Sequence, residues 1–152
     1  MLKDHGYTRN DVHRLEVQRE IMLAHIQAER LAREESSGLI LCDRSAIDAI
    51  VYAILTASDE RDACGRRDQL IQMDEFQHIL PLYRQSLFFL SEPVPEWIVG
   101  DEMRYESMVN IRDCFKTFQI TLSYLGIEYH VIAKENKLTS DRVAIVTKLV
   151  ES

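Results

Sequence analysis

The chain has few of the residues that mark special architectures. It has three cysteines, Cys42, Cys64 and Cys114, and their spacing fits no metal-binding motif. An odd number of cysteines without a secretory signal predicts reduced thiols in the cytosol or nucleus. The amino terminus has neither the apolar stretch of a signal peptide nor the Arg- and Ser-rich character of a transit peptide. We therefore expect a cytoplasmic protein in which Cys42 is a small core residue.

Long apolar runs and an excess of positive charge are also missing. No run approaches the roughly 20 residues that a membrane-spanning helix needs. The net charge of -7 argues against a general affinity for nucleic acid or for anionic membranes, so neither is an expected partner. A chain of 152 residues with 46% hydrophobic residues has enough apolar surface for a core, and we expect residues 1–152 to form a single domain.

Glycine is scarce, and its distribution excludes a phosphate-binding loop. Such a loop requires the pattern G-x-x-x-x-G-K-[S/T] between a strand and a helix. None of the five glycines lies in that pattern. The nearest basic candidate, Gly65-Arg66-Arg67, has no second glycine, no Lys-Ser/Thr pair and no preceding strand.

Apolar runs alternate with segments of helical periodicity along the chain. Three short apolar runs predict buried strands at Leu39–Asp43, Leu87–Leu90 and Ile127–Ala133. Helical segments are predicted from about Thr8 or Asn10 to Glu35, Ala46–Ala57, Asp59–Arg84 in one or two pieces, Ser107–Leu125 and from Ser140 onward. Gly126 fits the C′ position of the helix that ends at Leu125, and Ser140 is expected to cap the last helix. This alternation predicts an α/β fold with a parallel sheet and helices on both faces.

The segment from Gly38 to Ser45 carries the strongest candidate site. Ligands of open α/β sheets bind outside the carboxyl ends of strands. Asp43, Arg44 and Ser45 therefore bring an acid, a base and a hydroxyl to such a strand end. Ser45 is also predicted to cap the next helix, with Asp48 three positions later acting as in a capping box.

The order of these and other short motifs resembles a known family. Asp43-Arg44-Ser45 is followed by Asp48 and by Tyr52-Ala53; the other matching segments are 3–7, 100–104 and 124–129. Together they resemble P-loop kinase-type ATPases, and more narrowly the AAA domain of the nicotinamide-riboside-kinase-like group. The resemblance implies a three-layer P-loop-NTPase-like fold that lacks its first strand and phosphate loop, which the family places before residue 1. It also implies ATP and Mg²⁺ as cofactors, with phosphoryl transfer to a small-molecule hydroxyl.

The same resemblance assigns roles to individual residues. Asp43 would bind Mg²⁺ or accept the acceptor's proton, Arg44 would hold a phosphate or carboxylate, and Arg104 would stabilise the transferring phosphoryl group. Ser45, Asp48 and Asp101 would contact the substrate. The alternative is structural: Asp43 caps the following helix, Arg44 makes an ion pair, and Arg104 and Asp101 are solvated loop residues.

Further alternatives concern the whole chain, its only tryptophan, and a histidine and a glutamate on the first helix. Because the phosphate loop is missing, the chain is not expected to be an active kinase. It is alternatively a non-catalytic interaction module that associates through exposed sheet edges. Trp97 either stacks on a base or anchors its loop to the core. His25 and Glu29, four residues apart on the first helix, are expected to form a surface pair rather than half a metal site.

Overall fold

The computed structural model describes residues 6–98 and 108–152. The chain divides into two compact units, with the boundary between Leu82 and Tyr83. A short 3-10 turn, Arg9–Asp11, comes first. The further elements, in chain order, are α1 (Leu15–Glu35), α2 (Ile47–Leu55), α3 (Glu60–Ile71), α4 (Asp74–Gln85), β1 (Phe88–Ser91), α5 (Pro95–Ile98), α6 (Met108–Tyr124), β2 (Tyr129–Ile132) and α7 (Thr139–Glu151).

The first unit is helical, and its core is built around α2. This helix is apolar on nearly every side because it is enclosed by its neighbours. The buried apolar residues of the unit are Val17, Met22, Ala46, Ile47, Ala49, Ile50, Val51, Ala53, Leu70, Phe76, Ile79 and Leu80. The predicted helical region from Asp59 to Arg84 forms two helices, α3 and α4. The Asp59 carboxylate caps α3 by accepting a hydrogen bond from the Asp62 amide at 2.8 Å.

The predicted strand Leu39–Asp43 is wrong: these residues form no strand. Leu39 is 75% exposed and Leu41 is 89% exposed, whereas the prediction required a buried run. Cys42 is also exposed, so it is not a core residue. The physical reason is that a strand requires a hydrogen-bonding neighbour, and within residues 6–98 and 108–152 the sheet consists of β1 (Phe88–Ser91) and β2 (Tyr129–Ile132) without this segment.

The second unit contains a two-stranded parallel sheet. β1 and β2 pair in register, with Phe88 opposite Tyr129 and Ser91 opposite Ile132. The predicted strands near Leu87–Leu90 and Ile127–Ala133 are thereby confirmed, as is their parallel direction. In the described ranges the sheet has two strands instead of the three expected. The α7 helix begins at Thr139, so Ser140 lies inside it and not at its cap.

A left-handed turn at Gly126 joins α6 to β2. Gly126 has φ +69°, a conformation that glycine adopts without strain. The Ile127 amide donates to the Leu122 carbonyl at 2.9 Å, which is the hydrogen-bond pattern of a glycine-terminated helix. Arg84 Nε donates to the Leu125 carbonyl at 2.9 Å. The predicted glycine position at this helix end is confirmed.

No helix in the described ranges has the length and apolar character needed to cross a bilayer.

Candidate functional site

The entry to α2 is a tight corner formed by residues 43–48, here called the α2 corner. The Ser45 amide donates to Asp48 Oδ2 at 3.0 Å. In return, Ser45 Oγ accepts from the Ile47 amide at 3.2 Å. Two amides at the helix start are thus satisfied by two side chains. The predicted pairing of Ser45 with Asp48 is confirmed, but the helix starts at Ile47 and its cap residue is Ala46 instead of the predicted Ser45.

Arg44 has a strained backbone and an accessible side chain. Its φ is +73°, and no other non-glycine residue in the described ranges has a positive φ. For a residue with a Cβ this conformation costs about 1–2 kcal/mol. Arg44 Nη1 lies 3.3 Å from Asp48 Oδ1 while the arginine side chain stays 53% exposed. A hydrogen bond with the Tyr52 side chain is the main cause that raises the pKa of Arg44. The guanidinium is therefore held in place and still open to a ligand.

Asp48 lies below the surface of the corner. It is 8% exposed. Burial raises the pKa of Asp48, and the Ser45 amide, Arg44 and His25 partly oppose this effect. His25 lies on α1, so this corner is connected electrostatically to a second helix. The Asp48 carboxylate accepts a hydrogen bond from the Ser45 amide and pairs with the Arg44 guanidinium. This geometry is suited to a residue that positions Arg44.

Two residues of α1 differ from the expected surface pair. Glu29 is buried at 6% exposure, and its carboxylate lies 3.7 Å from the Arg33 guanidinium. The prediction that His25 and Glu29 form a surface pair is therefore wrong, because Glu29 does not lie on the surface. Its position facing the protein interior follows from the register of α1, which the helical pattern alone did not resolve. His25 contributes to the field at Asp48. Neither His25 nor Tyr52 was a predicted site residue.

Asp43 has the accessible carboxylate of the α2 corner. Asp43 precedes a helix and does not end a strand. The prediction that it lies at the carboxyl end of a strand is therefore wrong. No cluster of three or more metal-ligating side chains occurs in residues 6–98 and 108–152. Mg²⁺ in phosphoryl-transfer sites takes one or two carboxylates and completes its coordination with water and phosphate oxygens. The chemistry of Asp43 fits that limited requirement. Arg104 and Asp101 lie outside the described residues.

A second group of charged and aromatic residues lies at the carboxyl ends of β1 and β2. The Glu92 amide donates to the Ile132 carbonyl at 2.9 Å, and Glu92 Oε2 accepts from the Lys134 amide at 3.0 Å. Farther along the chain from these strand ends, the Arg142 guanidinium on α7 lies 4.7 Å from the centre of the Trp97 ring on α5. Trp97 is 54% exposed, so it does not simply anchor its loop in the core. The strand pattern indicated this edge of the sheet but not these residues.

Comparison with known proteins gives the class. A family model described as an AAA domain matches residues 1–137. Since this match covers most of the 152 residues, the chain belongs to that AAA domain family, which is of the P-loop NTPase type. Domains of this type generally bind ATP with Mg²⁺. No curated protein and no solved structure matches the chain significantly.

Proposed function

We propose that this chain is a kinase-like nucleotide-binding domain in which the α2 corner faces Mg²⁺ and a small-molecule acceptor. The observation that carries the proposal is the family match over residues 1–137. The geometry of the α2 corner supports it, because an exposed carboxylate and an exposed guanidinium lie on consecutive residues at a strained turn. Strained backbone of this kind is concentrated at functional sites.

The reaction class that the family resemblance implies for such a site is transfer of the γ-phosphoryl group of ATP to a hydroxyl of the acceptor. The oxygen of the acceptor hydroxyl forms the new bond to phosphorus, and the bond to the bridging oxygen of ADP breaks. Asp43 would take the hydroxyl proton, or it would hold Mg²⁺ while that proton passes to an oxygen of the transferred phosphoryl group. Arg44 binds a phosphate or carboxylate group of the acceptor, and Asp48 and Ser45 hold Arg44 in position.

Roles in phosphoryl transfer are also proposed for Arg104 and Asp101. Their support is the resemblance of residues 100–104 to the family's arginine-bearing lid, in which the arginine stabilises charge on the phosphoryl group in transit. Asp101 is proposed to contact the acceptor.

These 152 residues contain no G-x-x-x-x-G-K-[S/T] pattern. Backbone amides and the lysine of that pattern form most of a phosphate site. We therefore expect the chain by itself to bind Mg-ATP weakly at most and to lack kinase activity.

Calorimetric titration of Mg-ATP tests the proposal. The chain should bind Mg-ATP weakly at most, and the dependence of this binding on Mg²⁺ should disappear in Asp43→Asn. Asp113→Asn removes an exposed carboxylate on α6 and should bind like the unmodified chain. Equal Mg²⁺ dependence in Asp43→Asn would refute the role of Asp43. A Kd in the low micromolar range, about -8 kcal/mol, would show that the chain has a phosphate site of another kind.

A second candidate function is a non-catalytic interaction module. It is favoured by the exposed apolar segment 39–41, in which Leu39 and Leu41 are 75% and 89% exposed. Exposed apolar segments favour association with other protein surfaces. Self-association without any response to Mg-ATP would favour this function over nucleotide binding.

A further inference from the structure

A hydrogen bond, an ion pair and a cation–π contact join the segments that follow β1 and β2 at the carboxyl edge of the sheet. Glu92 follows β1 and receives the Lys134 amide that follows β2, at 3.0 Å. Farther out, Lys137 Nζ lies 3.4 Å from Glu96 Oε1. Arg142, on α7, then contacts Trp97 on α5. Parallel sheets bind their ligands at this edge. The edge therefore has the location of a binding site, and the contacts just described hold its side chains in place.

Trp97 presents an aromatic surface at this edge. Its ring is 54% exposed, although an indole is usually largely covered in a folded protein. The Arg142 guanidinium lies 4.7 Å from the ring centre, which is the geometry of a cation–π contact. Arg142 Nε donates to the Asn136 carbonyl at 2.6 Å. The guanidinium is therefore fixed, and it supports a tryptophan ring that is still largely open to solvent.

Cationic groups in the segments that follow β1 and β2 are suited to an anion. Arg142 Nη2 is buried and has no hydrogen-bond partner within the described part of the chain, which is uncommon for a cationic donor. Lys134 and Lys137 are each 52% exposed and pair with Glu92 and Glu96. Ion pairs this exposed contribute little stability, so both lysines can turn to a phosphate group at small cost.

We infer that Trp97 is the stacking platform for the base of a nucleotide, that Arg142 positions the indole ring, and that Lys134 and Lys137 face the phosphate. The inference deepens the proposed function and rests on it for the class of ligand. A flat π surface beside cations at the carboxyl edge of a parallel sheet matches the chemistry of a nucleotide, which joins a planar ring to an anion. Stacking tolerates any base, so the geometry specifies a nucleotide without choosing among the bases.

The fluorescence of the chain reports directly on this site, because Trp97 is the only tryptophan. The full chain is titrated without Mg²⁺ with adenosine, with AMP and with inorganic triphosphate. Adenosine and AMP should quench the fluorescence, AMP at the lower concentration, and triphosphate should not. Calorimetry of AMP binding should show about a tenfold weaker Kd for Trp97→Leu and a nearly unchanged Kd for Trp97→Phe. Tyr124→Leu removes an aromatic ring that is 58% exposed in the same unit and should leave the Kd unchanged.

Arg142 acts through the ring, and its variants separate positioning from folding. Arg142→Lys should keep the fold and weaken AMP binding, because an ammonium group lacks the planar contact of the guanidinium. Near- and far-ultraviolet circular dichroism of the same sample shows whether the fold is retained. If Arg142→Lys is folded and binds AMP like the unmodified chain, Arg142 has no positioning role.

The outcomes distinguish this inference from the proposed function. Absence of quenching by both adenosine and AMP, or an unchanged Kd in Trp97→Leu, overturns the base site and leaves the test of Asp43 unaffected. Quenching by adenosine and AMP together with Mg-ATP binding that is indifferent to Asp43→Asn supports the base site and overturns the proposed role of Asp43.

Discussion

Arg44 Nη1 lies 3.3 Å from Asp48 Oδ1, across one turn at the start of α2. The two side chains differ sharply in exposure, at 53% for the arginine and 11% for the aspartate. The other oxygen of the same carboxylate accepts the Ser45 amide. One buried carboxylate therefore fixes both the backbone of the turn and the direction of an exposed cation, and this supports the proposal that Arg44 binds a ligand.

The first prediction concerns the pH dependence of stability in Asp48→Asn. Burial raises the pKa of Asp48 above 3.8, so the folded state binds this proton more tightly than the unfolded state. The stability that Asp48 contributes is present in full below its unfolded pKa and is lost as the pH rises through the folded pKa. Asparagine does not titrate, and its amide oxygen can still accept the Ser45 amide. Relative to the unmodified chain, Asp48→Asn should therefore gain stability as the pH rises from about 4 toward 7.

Urea denaturation at a series of pH values measures this difference. Asp113→Asn, at an exposed position on α6, should show a much flatter difference over the same range. A difference that moves in the opposite direction would mean that Arg44 and the Ser45 amide outweigh burial, and that the pKa of Asp48 is lowered in the folded protein.

The second prediction compares Arg44→Gly with Arg44→Ala. Both variants lose the contact with Asp48, but only alanine keeps the cost of a Cβ at φ +73°. Arg44→Gly should therefore be more stable than Arg44→Ala by about 1 kcal/mol, as measured from the midpoints of urea unfolding. Both should weaken acceptor or anion binding equally, since neither retains a guanidinium. Equal stability of the two variants would show that the turn relaxes when the side chain is removed.

Local signals in the sequence predicted part of the fold well. The parallel strands β1 and β2 followed from short apolar runs, and the turn at Gly126 followed from a glycine after a helical pattern. The pairing of Ser45 with Asp48 followed from their spacing. Each of these features is decided within a few residues of the chain, so the local pattern was sufficient.

The errors arose where long-range contacts decide the structure. The run Leu39–Asp43 has the composition of a buried strand, but pairing partners and burial are not encoded within five residues. The contact between Trp97 and Arg142 joins residues from the connections that follow two different strands. The register of α1 determines that Glu29 is buried, and periodicity alone left it on the surface. Local motifs therefore selected the residues of the α2 corner, but they did not identify residues of other elements that influence it, such as His25.

The third prediction compares two glycine substitutions. Gly126 has φ +69°, and a Cβ built there would lie 3.6 Å from Arg84 Nε. That distance is ordinary van der Waals contact, so backbone strain rather than a clash determines the cost. Gly126→Ala should destabilise the chain by about 1 kcal/mol. Gly65 lies inside α3 with open space around its Cα, and Gly65→Ala should stabilise by about 0.5–1 kcal/mol. Thermal unfolding of the two variants should shift in opposite directions; a shared direction would contradict the assigned conformations.

The fourth prediction concerns the exposed segment 39–41. Leu41 is 89% exposed, so Leu41→Asp removes no buried contact and should change the free energy of unfolding by less than about 0.5 kcal/mol. The same change places a charge in an exposed apolar run, and a charge in such a run opposes association with another chain. Sedimentation velocity over a range of concentrations should show self-association of the unmodified chain and less of it in Leu41→Asp. Leu138→Asp alters a leucine that is 65% exposed just before α7 and serves as the matched control, because it adds the same charge outside this segment. If both variants reduce self-association equally, net charge rather than segment 39–41 controls it, and the interaction-module function loses the observation that favours it.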